Sequence, residues 1–522
     1  MDNWAESTIA IDFGSTNSAA YVCKGGNPTA LASNDRSGEY QFPSFVEYTN
    51  DSAVVGLSAK KHFGMEKKYV VACVKRLLGK TFDDYLAFPD KSIFGCEVIR
   101  GDDNSPRFVV SDSGLSKTCE EVASEIFRKI KHDADAFTGK TCNYAYLTYP
   151  VDYNDIQKKA IEKACNLAGL KVRGWLQEPD AAALSWTLRS EINGRGFERF
   201  IIFDFGGGTL DVSCLSCNNG VATFSHNVGN ATLGGNDVDT VLMEYCINFY
   251  RRENGEDLIL GKDEKKRMKK LLKLRSMCED VKRSLSSSQT GEIDFSEINP
   301  HAGEPFILTT IAFNRVVKDI LDQCMKCVDE ATKHDEWGPG TIRHVILVGG
   351  SSLICEIRNI LRNKFVHAEI PDITVVNPYS CVAEGACRKM MMDASGQIGN
   401  AMKRLGQSYG ISGGNQVLLL LRKNMIVPCI SGKIRVQVTD PTANKLVTTV
   451  YAYSGDVNSQ ETRIMKQIAE CSEKGVISFD IPTNGSKYFE LQMQMGFNET
   501  VQVTCRDIIR GEIIGVQYLV IN

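Results

Sequence analysis

One pattern occurs twice in this chain and limits its possible folds more than any other feature. Ile9-Ala10-Ile11-Asp12-Phe13-Gly14-Ser15-Thr16 is matched by Ile201-Ile202-Phe203-Asp204-Phe205-Gly206-Gly207-Gly208-Thr209-Leu210-Asp211-Val212, the aspartates lying 192 residues apart. Each copy reads as an apolar strand ending in Asp, a Gly-containing turn, a Thr and a second strand, which is a β-hairpin. Glycine lets backbone N–H groups approach an anion, threonine adds a hydroxyl donor, and Asp offers hard oxygen to Mg2+, directly or through water. A single such turn is usually an ordinary hairpin. Two copies could grip a polyphosphate from both sides, and their repetition argues against coincidence. A third element, His344-Val345-Ile346-Leu347-Val348-Gly349-Gly350-Ser351-Ser352, reads as a buried strand, a Gly-Gly turn and a helix carrying Ile354, Ile357 and Leu361. It suits close approach to a flat or anionic ligand, or equally a tight strand-to-helix corner.

Composition narrows the class. At 522 residues the chain is too long for one core and predicts two or more domains. With 60 basic against 64 acidic residues, it has no surface-wide charge for gripping nucleic acid or anionic lipid. No apolar run approaches the roughly 18–20 residues of a membrane span, and Asp2 and Glu6 stand where a signal peptide wants positive charge. The expected location is cytoplasmic, with no nucleic-acid or membrane partner. The 18 cysteines then read as reduced, packed thiols, including the pairs Cys214/Cys217 and Cys324/Cys327. The basic run from Lys262 through Arg275 reads as a solvated helix face. Gly79-Lys80-Thr81 and Gly139-Lys140-Thr141 imitate a P-loop ending, but Val74 and Ala134 occupy the place of its first glycine. No GxGxxG motif follows a strand.

The duplicated hairpin plus the Gly-Gly turn resembles the actin, hexokinase and Hsp70 ATPase superfamily. The segments between resemble Hsp70 in particular: Ala72-Cys73-Val74-Lys75-Arg76-Leu77-Leu78-Gly79, Tyr149-Pro150, Glu178-Pro179-Asp180-Ala181-Ala182-Ala183, Leu233-Gly234-Gly235-Asn236-Asp237-Val238-Asp239 and Cys278-Glu279-Asp280-Val281-Lys282-Arg283-Ser284-Leu285-Ser286. The resemblance implies an α/β two-lobed actin-like ATPase domain (a duplicated ribonuclease-H-like fold) over 1–393. A linker over 394–407 and a smaller antiparallel β-sandwich over 408–522 would follow.

The same resemblance implies hydrolysis of ATP to ADP and phosphate with Mg2+, and K+ as an accessory ion. Asp12 and Asp204 would hold Mg2+ through water. Lys75 and Glu178 would orient the attacking water, Thr209 would donate to the γ-phosphate, and Asp211 would help accept the proton. Gly14, Ser15, Thr16, Gly206, Gly207, Gly208 and Thr209 would surround the phosphates. Gly234, Gly235, Glu279, Lys282, Arg283, Ser286, Gly349, Gly350 and Ser351 would surround the adenosine. Read without the family, Lys75 sits in a helical stretch as a solvated lysine and Glu178 as a helix-start carboxylate. Glu279, Lys282, Arg283 and Ser286 fall on one helix face.

The chain also departs from the family pattern. Leu353 stands where Hsp70 has an arginine stacked on adenine, Tyr379 replaces an Asp, and Asn236 replaces a Glu. Losing the guanidinium could cost about 1–2 kcal/mol, so an altered nucleotide preference is expected. Gly174, beside Arg173, replaces an arginine linked to J-domain engagement, while Pro150 and Lys158 keep an inter-lobe pair in kind.

From about residue 408 the apolar pattern turns to period two and predicts seven or eight short strands. Tyr409-Gly410-Ile411 and Arg422-Lys423-Asn424-Met425-Ile426-Val427-Pro428 resemble the start of the Hsp70 peptide-binding β-domain. No helical lid is expected after it. The implied partners are unfolded peptide or client protein, a J-domain co-chaperone and a nucleotide exchange factor. A nucleotide-sensing regulatory partner of other chaperones or ribosomes, with little hydrolysis, is the alternative. A small-molecule kinase on the same scaffold would need an acceptor base that the sequence does not offer.

Overall fold

The computed structural model describes residues 4–31, 40–49, 52–65, 69–187, 197–218, 221–261, 263–395, 405, 407–413, 415–423, 429–440, 442–454, 464–482, 487–495 and 500–520. Both repeats form the hairpins their sequences predict. Thr8–Asp12 pairs antiparallel with Asn17–Lys24, and Phe197–Phe205 with Leu210–Asn218. Each hairpin is extended on its first strand by a parallel partner, Tyr144–Tyr149 in the first lobe and His344–Val348 in the second. The register is equivalent: Thr8 faces Tyr144 and Phe200 faces His344, each four residues before its aspartate.

Period-two alternation sends successive residues of a central strand into different cores. Ile201, Phe203 and Phe205 enter the main core of the second lobe, while Phe200 and Ile202 face its opposite side. There they meet Ala181, Ala182, Ala183 and Trp186 of the helix Glu178–Thr187. In the first lobe, Ile9 and Ile11 face the main core and Ala10 the other side, which is covered by Ala383, Ala386, Cys387, Met390 and Met391 of Cys381–Ala394. The two covering helices cross where Gly385 lies against the Ala181 backbone. A side chain at Gly385 would collide with the Ala181 carbonyl.

The first hairpin is anchored by the helix Cys119–Thr138, whose Phe127 ring lies 5.0 Å from that of Phe13. That helix begins in a Thr118/Glu121 capping box, ends at left-handed Gly139, and buries Val122, Ile126 and Ile130 on one face. It takes Gly139 out of any phosphate loop.

The C-terminal region is a sandwich of a five-stranded and a four-stranded antiparallel sheet. The structure thus has more strands there than the period-two reading predicts. The addition is Ile464–Gln467, too short to show a period of its own. Leu420, Val450, Phe479, Leu491 and Val503 pack between the sheets. The linker positions 396–404 and the resemblance at 424–428 lie outside the described residues. No helix among the described residues is long and apolar enough to cross a membrane. All 18 cysteines are free thiols, and Cys214, Cys217 and Cys324 are buried, as packed thiols should be.

Candidate functional site

The two hairpin turns face each other at the bottom of the inter-lobe cleft. A side chain at Gly207 would collide with Thr16, so glycine there is a requirement of close approach. The second turn is tied to the start of the helix Gly235–Asn254: Gly235 N–H donates to the Gly206 carbonyl at 2.9 Å, and Asn236 N–H to that of Gly207 at 2.9 Å. Ser351 Oγ donates to the Gly206 carbonyl at 2.9 Å, which joins the Gly-Gly turn to the same loop. Gly349, at φ 77°, adopts the left-handed conformation that permits this corner. Gly14 and Ser15 complete the first turn, Gly208 and Thr209 the second, and Gly234 packs against the backbone of Gly208.

Lys75 is not on a helix. It occupies a short 3-10 turn, Val74–Arg76, behind Cys73, which takes φ 53°. Only 7% exposed, it is not a solvated lysine either. Its Nζ donates to Glu178 Oε1 at 3.0 Å, and Glu178 opens its helix as the sequence suggests. Burial alone would depress the Lys75 pKa, but Glu178 and Asp12 outweigh it and hold the ammonium charged.

Asp12, Asp204 and Asp211 surround this pair. Burial first, then Glu178, pushes the Asp12 carboxyl up to about 6, against the pull of Lys75 and a hydrogen bond from Thr148 Oγ1 at 3.2 Å. Asp211 faces Asp204 across the hairpin. Burial pushes Asp211 up to about 6 although Asn227 Nδ2 donates to it at 2.9 Å. Asp204 is raised well above the usual carboxylate range by burial, then by Glu178, Asp211 and Asp12. The cluster thus has an excess of buried negative charge that a cation would relieve. Among the described residues no group of three or more His, Cys, Asp or Glu forms a complete metal-ligand set. Mg2+ would therefore have to complete its shell with water and phosphate oxygens, as it commonly does. The carboxylate excess, the glycine cradle and the unpaired buried Thr16 hydroxyl all fit a magnesium polyphosphate.

From Thr16 and Gly207 the cleft continues along Gly235, Glu279, Lys282, Arg283, Ser286, Gly350 and Ser351, with Ile354 and Tyr379. Glu279, Lys282 and Arg283 lie on the helix Glu264–Ser284, while Ser286 lies just past its end. Lys282 Nζ bonds Asp239 at 2.7 Å and the Gly235 carbonyl at 2.9 Å, and Glu279 receives Lys60 Nζ at 2.6 Å from the first lobe. The basic run departs from its expected role at one point. Arg275 is 5% exposed and bonds Asp90 and Thr240, whereas Lys266 and Arg267 are exposed.

Three residues that sequence reasoning did not assign sit around Lys75 and the aspartates. Tyr153 donates its hydroxyl to the Lys75 carbonyl at 3.4 Å, Thr148 holds Asp12, and Asn227 holds Asp211. None lies in the repeated pattern, and their roles depend on pairings more than a dozen residues apart. Pro150 lies on this side too, while the Lys158 ammonium sits 3.6 Å over the Tyr149 ring. Arg173 stacks on Trp4 and Tyr144 at a bulge between paired strands.

The family model described as Hsp70 protein matches residues 8–403. The chain belongs to the Hsp70 family. It is 28% identical over 505 residues to heat shock cognate 70 kDa protein 3 of Dictyostelium discoideum, covering 92% of this chain and 77% of that protein. It is 30% identical over 465 residues to a heat shock cognate HSP70 protein of Trypanosoma brucei brucei, covering 86% and 66% respectively. A heat shock 70 kDa protein of Neurospora crassa is 28% identical over 517 residues, covering 95% and 77%. As an Hsp70-family chaperone, the chain has the two-lobed actin-like ATPase domain and the β-sandwich of that family.

Proposed function

We propose that the inter-lobe cleft binds ATP with Mg2+ and hydrolyses it slowly to ADP and phosphate. The observation that carries this reading is the buried Lys75–Glu178 ion pair, 3.0 Å long, set between two aspartate-ended hairpins. Bound Mg2+ would supply charge neutralisation at the phosphates, held through water by Asp12 and Asp204. Lys75 Nζ and the Glu178 carboxylate orient the attacking water. The Thr209 hydroxyl donates to a terminal phosphate oxygen. Asp211, with its carboxyl near 6, is ionised at neutral pH yet basic enough to take the water proton at its carboxylate oxygen. Phosphoryl transfer needs positioning and charge neutralisation more than covalent chemistry, and this residue set offers both.

On this reading residues 1–393 are the ATPase domain and 408–522 a peptide-binding sandwich. Support for the second role is the antiparallel sandwich of a five-stranded and a four-stranded sheet in a chain of this family. An extended segment of a client protein would bind such a sheet through main-chain pairing at an edge. A J-domain co-chaperone and an exchange factor would regulate the cycle.

The test is steady-state MgATP turnover by the full chain, with and without an unfolded peptide. Lys75→Ala should lower kcat at least about 100-fold, the scale for removing one preorganised charged group from such a site. Turnover within twofold of the parent in that variant would reject the assignment. Tight ATP binding with no turnover by the parent would instead support a nucleotide-sensing role.

A further inference from the structure

The wall of the cleft beside the Gly349-Gly350 turn contains an aromatic side chain whose presence the phosphate chemistry does not require. Tyr379 follows Asn377-Pro378 in a turn fixed at three points. Its own N–H donates to Asn377 Oδ1 at 2.9 Å, the Pro378 carbonyl accepts from Gly349 N–H at 2.9 Å, and the ring lies against Gly350. A Cβ on Gly350 would come within 2.8 Å of the ring's Cε1, so the glycine is what lets the ring occupy the wall. The ring is half-buried and lines the same cleft as Gly350, Ile354 and Arg283.

Two charged side chains near this wall, Lys282 and Glu279, are already engaged. Lys282 is bound to Asp239 and the Gly235 carbonyl, and Glu279 to Lys60. Reading the edge of a base with Lys282 or Glu279 would break one of these buried pairs, whereas stacking on its face would not. A tyrosine held by its backbone has few side-chain rotations to lose on stacking. Because every base presents a π face, stacking gives affinity with little selectivity between bases.

Resting on the reading of this cleft as a nucleotide site, we infer that Tyr379 is the stacking platform for the base. The site then accepts purine nucleoside triphosphates with little discrimination between adenine and guanine. Tyr379 acts on the base alone and takes no part in the chemistry at the phosphates.

The test is calorimetric binding of MgATP, MgGTP and magnesium tripolyphosphate to the full chain, with thermal melts confirming that each variant folds. MgATP and MgGTP should bind the parent within about tenfold of each other. Tyr379→Leu should weaken both nucleotides roughly 5- to 100-fold, the range for losing one base–aromatic stack, and leave tripolyphosphate unchanged. Tyr379→Phe should retain both affinities within about threefold. Unchanged nucleotide affinity in Tyr379→Leu, or rejection of MgGTP by more than 100-fold in the parent, overturns the inference while the nucleotide site stands. If the parent binds neither nucleotides nor tripolyphosphate, the reading of the cleft fails and the inference with it.

Discussion

The two hairpins share a sequence pattern, a topology and a register, yet their aspartates sit in different surroundings. In the first lobe Asp12 lies opposite Ala19 across the hairpin and receives a hydrogen bond from Thr148 on the parallel strand. In the second lobe Asp204 lies opposite another carboxylate, Asp211, and the matching parallel residue is Val348, which has nothing to donate. Burial and Glu178 push both carboxyls up, but Thr148 opposes this at Asp12 whereas Asp211 adds to it at Asp204. The repeat has kept the carboxylate and changed its neighbours: one side receives a hydroxyl, and the other faces a second carboxylate whose charge a cation would relieve.

The largest effect that should follow is at Asp204. Asp204→Asn should reduce turnover at least about 100-fold while raising the melting temperature of the ligand-free protein, roughly 1–3 °C for a domain of this size. A carboxyl whose pKa is raised by folding stabilises only while protonated, and that stability is lost as pH rises through the raised value. The gain in the variant should therefore widen from pH 5 to pH 8. Asp12→Asn should show a smaller gain, because Thr148 already offsets part of the burial. Equal gains in the two variants, read by calorimetric melting, would remove the asymmetry described above.

A sharper comparison exchanges the neighbours. Thr148→Val makes the first lobe resemble the second, and should weaken Mg2+-dependent nucleotide binding by about 3- to 10-fold, the scale of one ordinary hydrogen bond. Val348→Thr should not restore it. An unchanged Mg2+ titration in Thr148→Val would show that the hydroxyl does not prepare Asp12.

The smallest effect concerns the scaffolds. The positions facing Thr8 and Phe200 are Tyr144 and His344. His344 is buried against the Phe200 ring at 4.9 Å, between Glu198 at 3.0 Å and Glu369 at 3.5 Å. Burial alone would lower its pKa, but the two carboxylates outweigh that and raise it. The stability it adds is therefore full below the ordinary histidine range and declines as pH rises through the raised value. His344→Gln should cost about 1 kcal/mol more at pH 5.5 than at pH 8.5 in urea melts. A pH-independent difference would show that the imidazole is neutral throughout.

Much of this was legible in the sequence where the signal is local. Apolar strands ending in Asp, glycine-rich turns and the spacing Glu279, Lys282, Arg283 all led to the elements observed. What was hidden depends on distant partners. Lys75 looks helical because Val74, Leu77 and Leu78 imitate a helical stripe, but left-handed Cys73 and the pull of Glu178 set a 3-10 turn instead. Arg275 looks like one more cation in a basic run until Asp90, 185 residues away, neutralises it in a buried contact. The Thr148/Val348 difference is invisible until the parallel strands are paired. The likeness to Hsp70 located the cleft, but only the packing around it distinguished the two aspartates.

The crossed helices at Gly385 and Ala181 have a bearing on how such a chain can be made. Each lobe's second core is closed by a helix that covers the other half of the duplication, the second lobe by Glu178–Thr187 and the first by Cys381–Ala394. As the chain leaves the ribosome, the first lobe's strands are complete by residue 177, but the helix that covers their open face emerges some two hundred residues later. Until then Ala10, Tyr21 and Tyr146 have no cover, and the early lobe is an incomplete sheet exposed to aggregation. For this protein the duplicated halves are separate in sequence but must finish folding together.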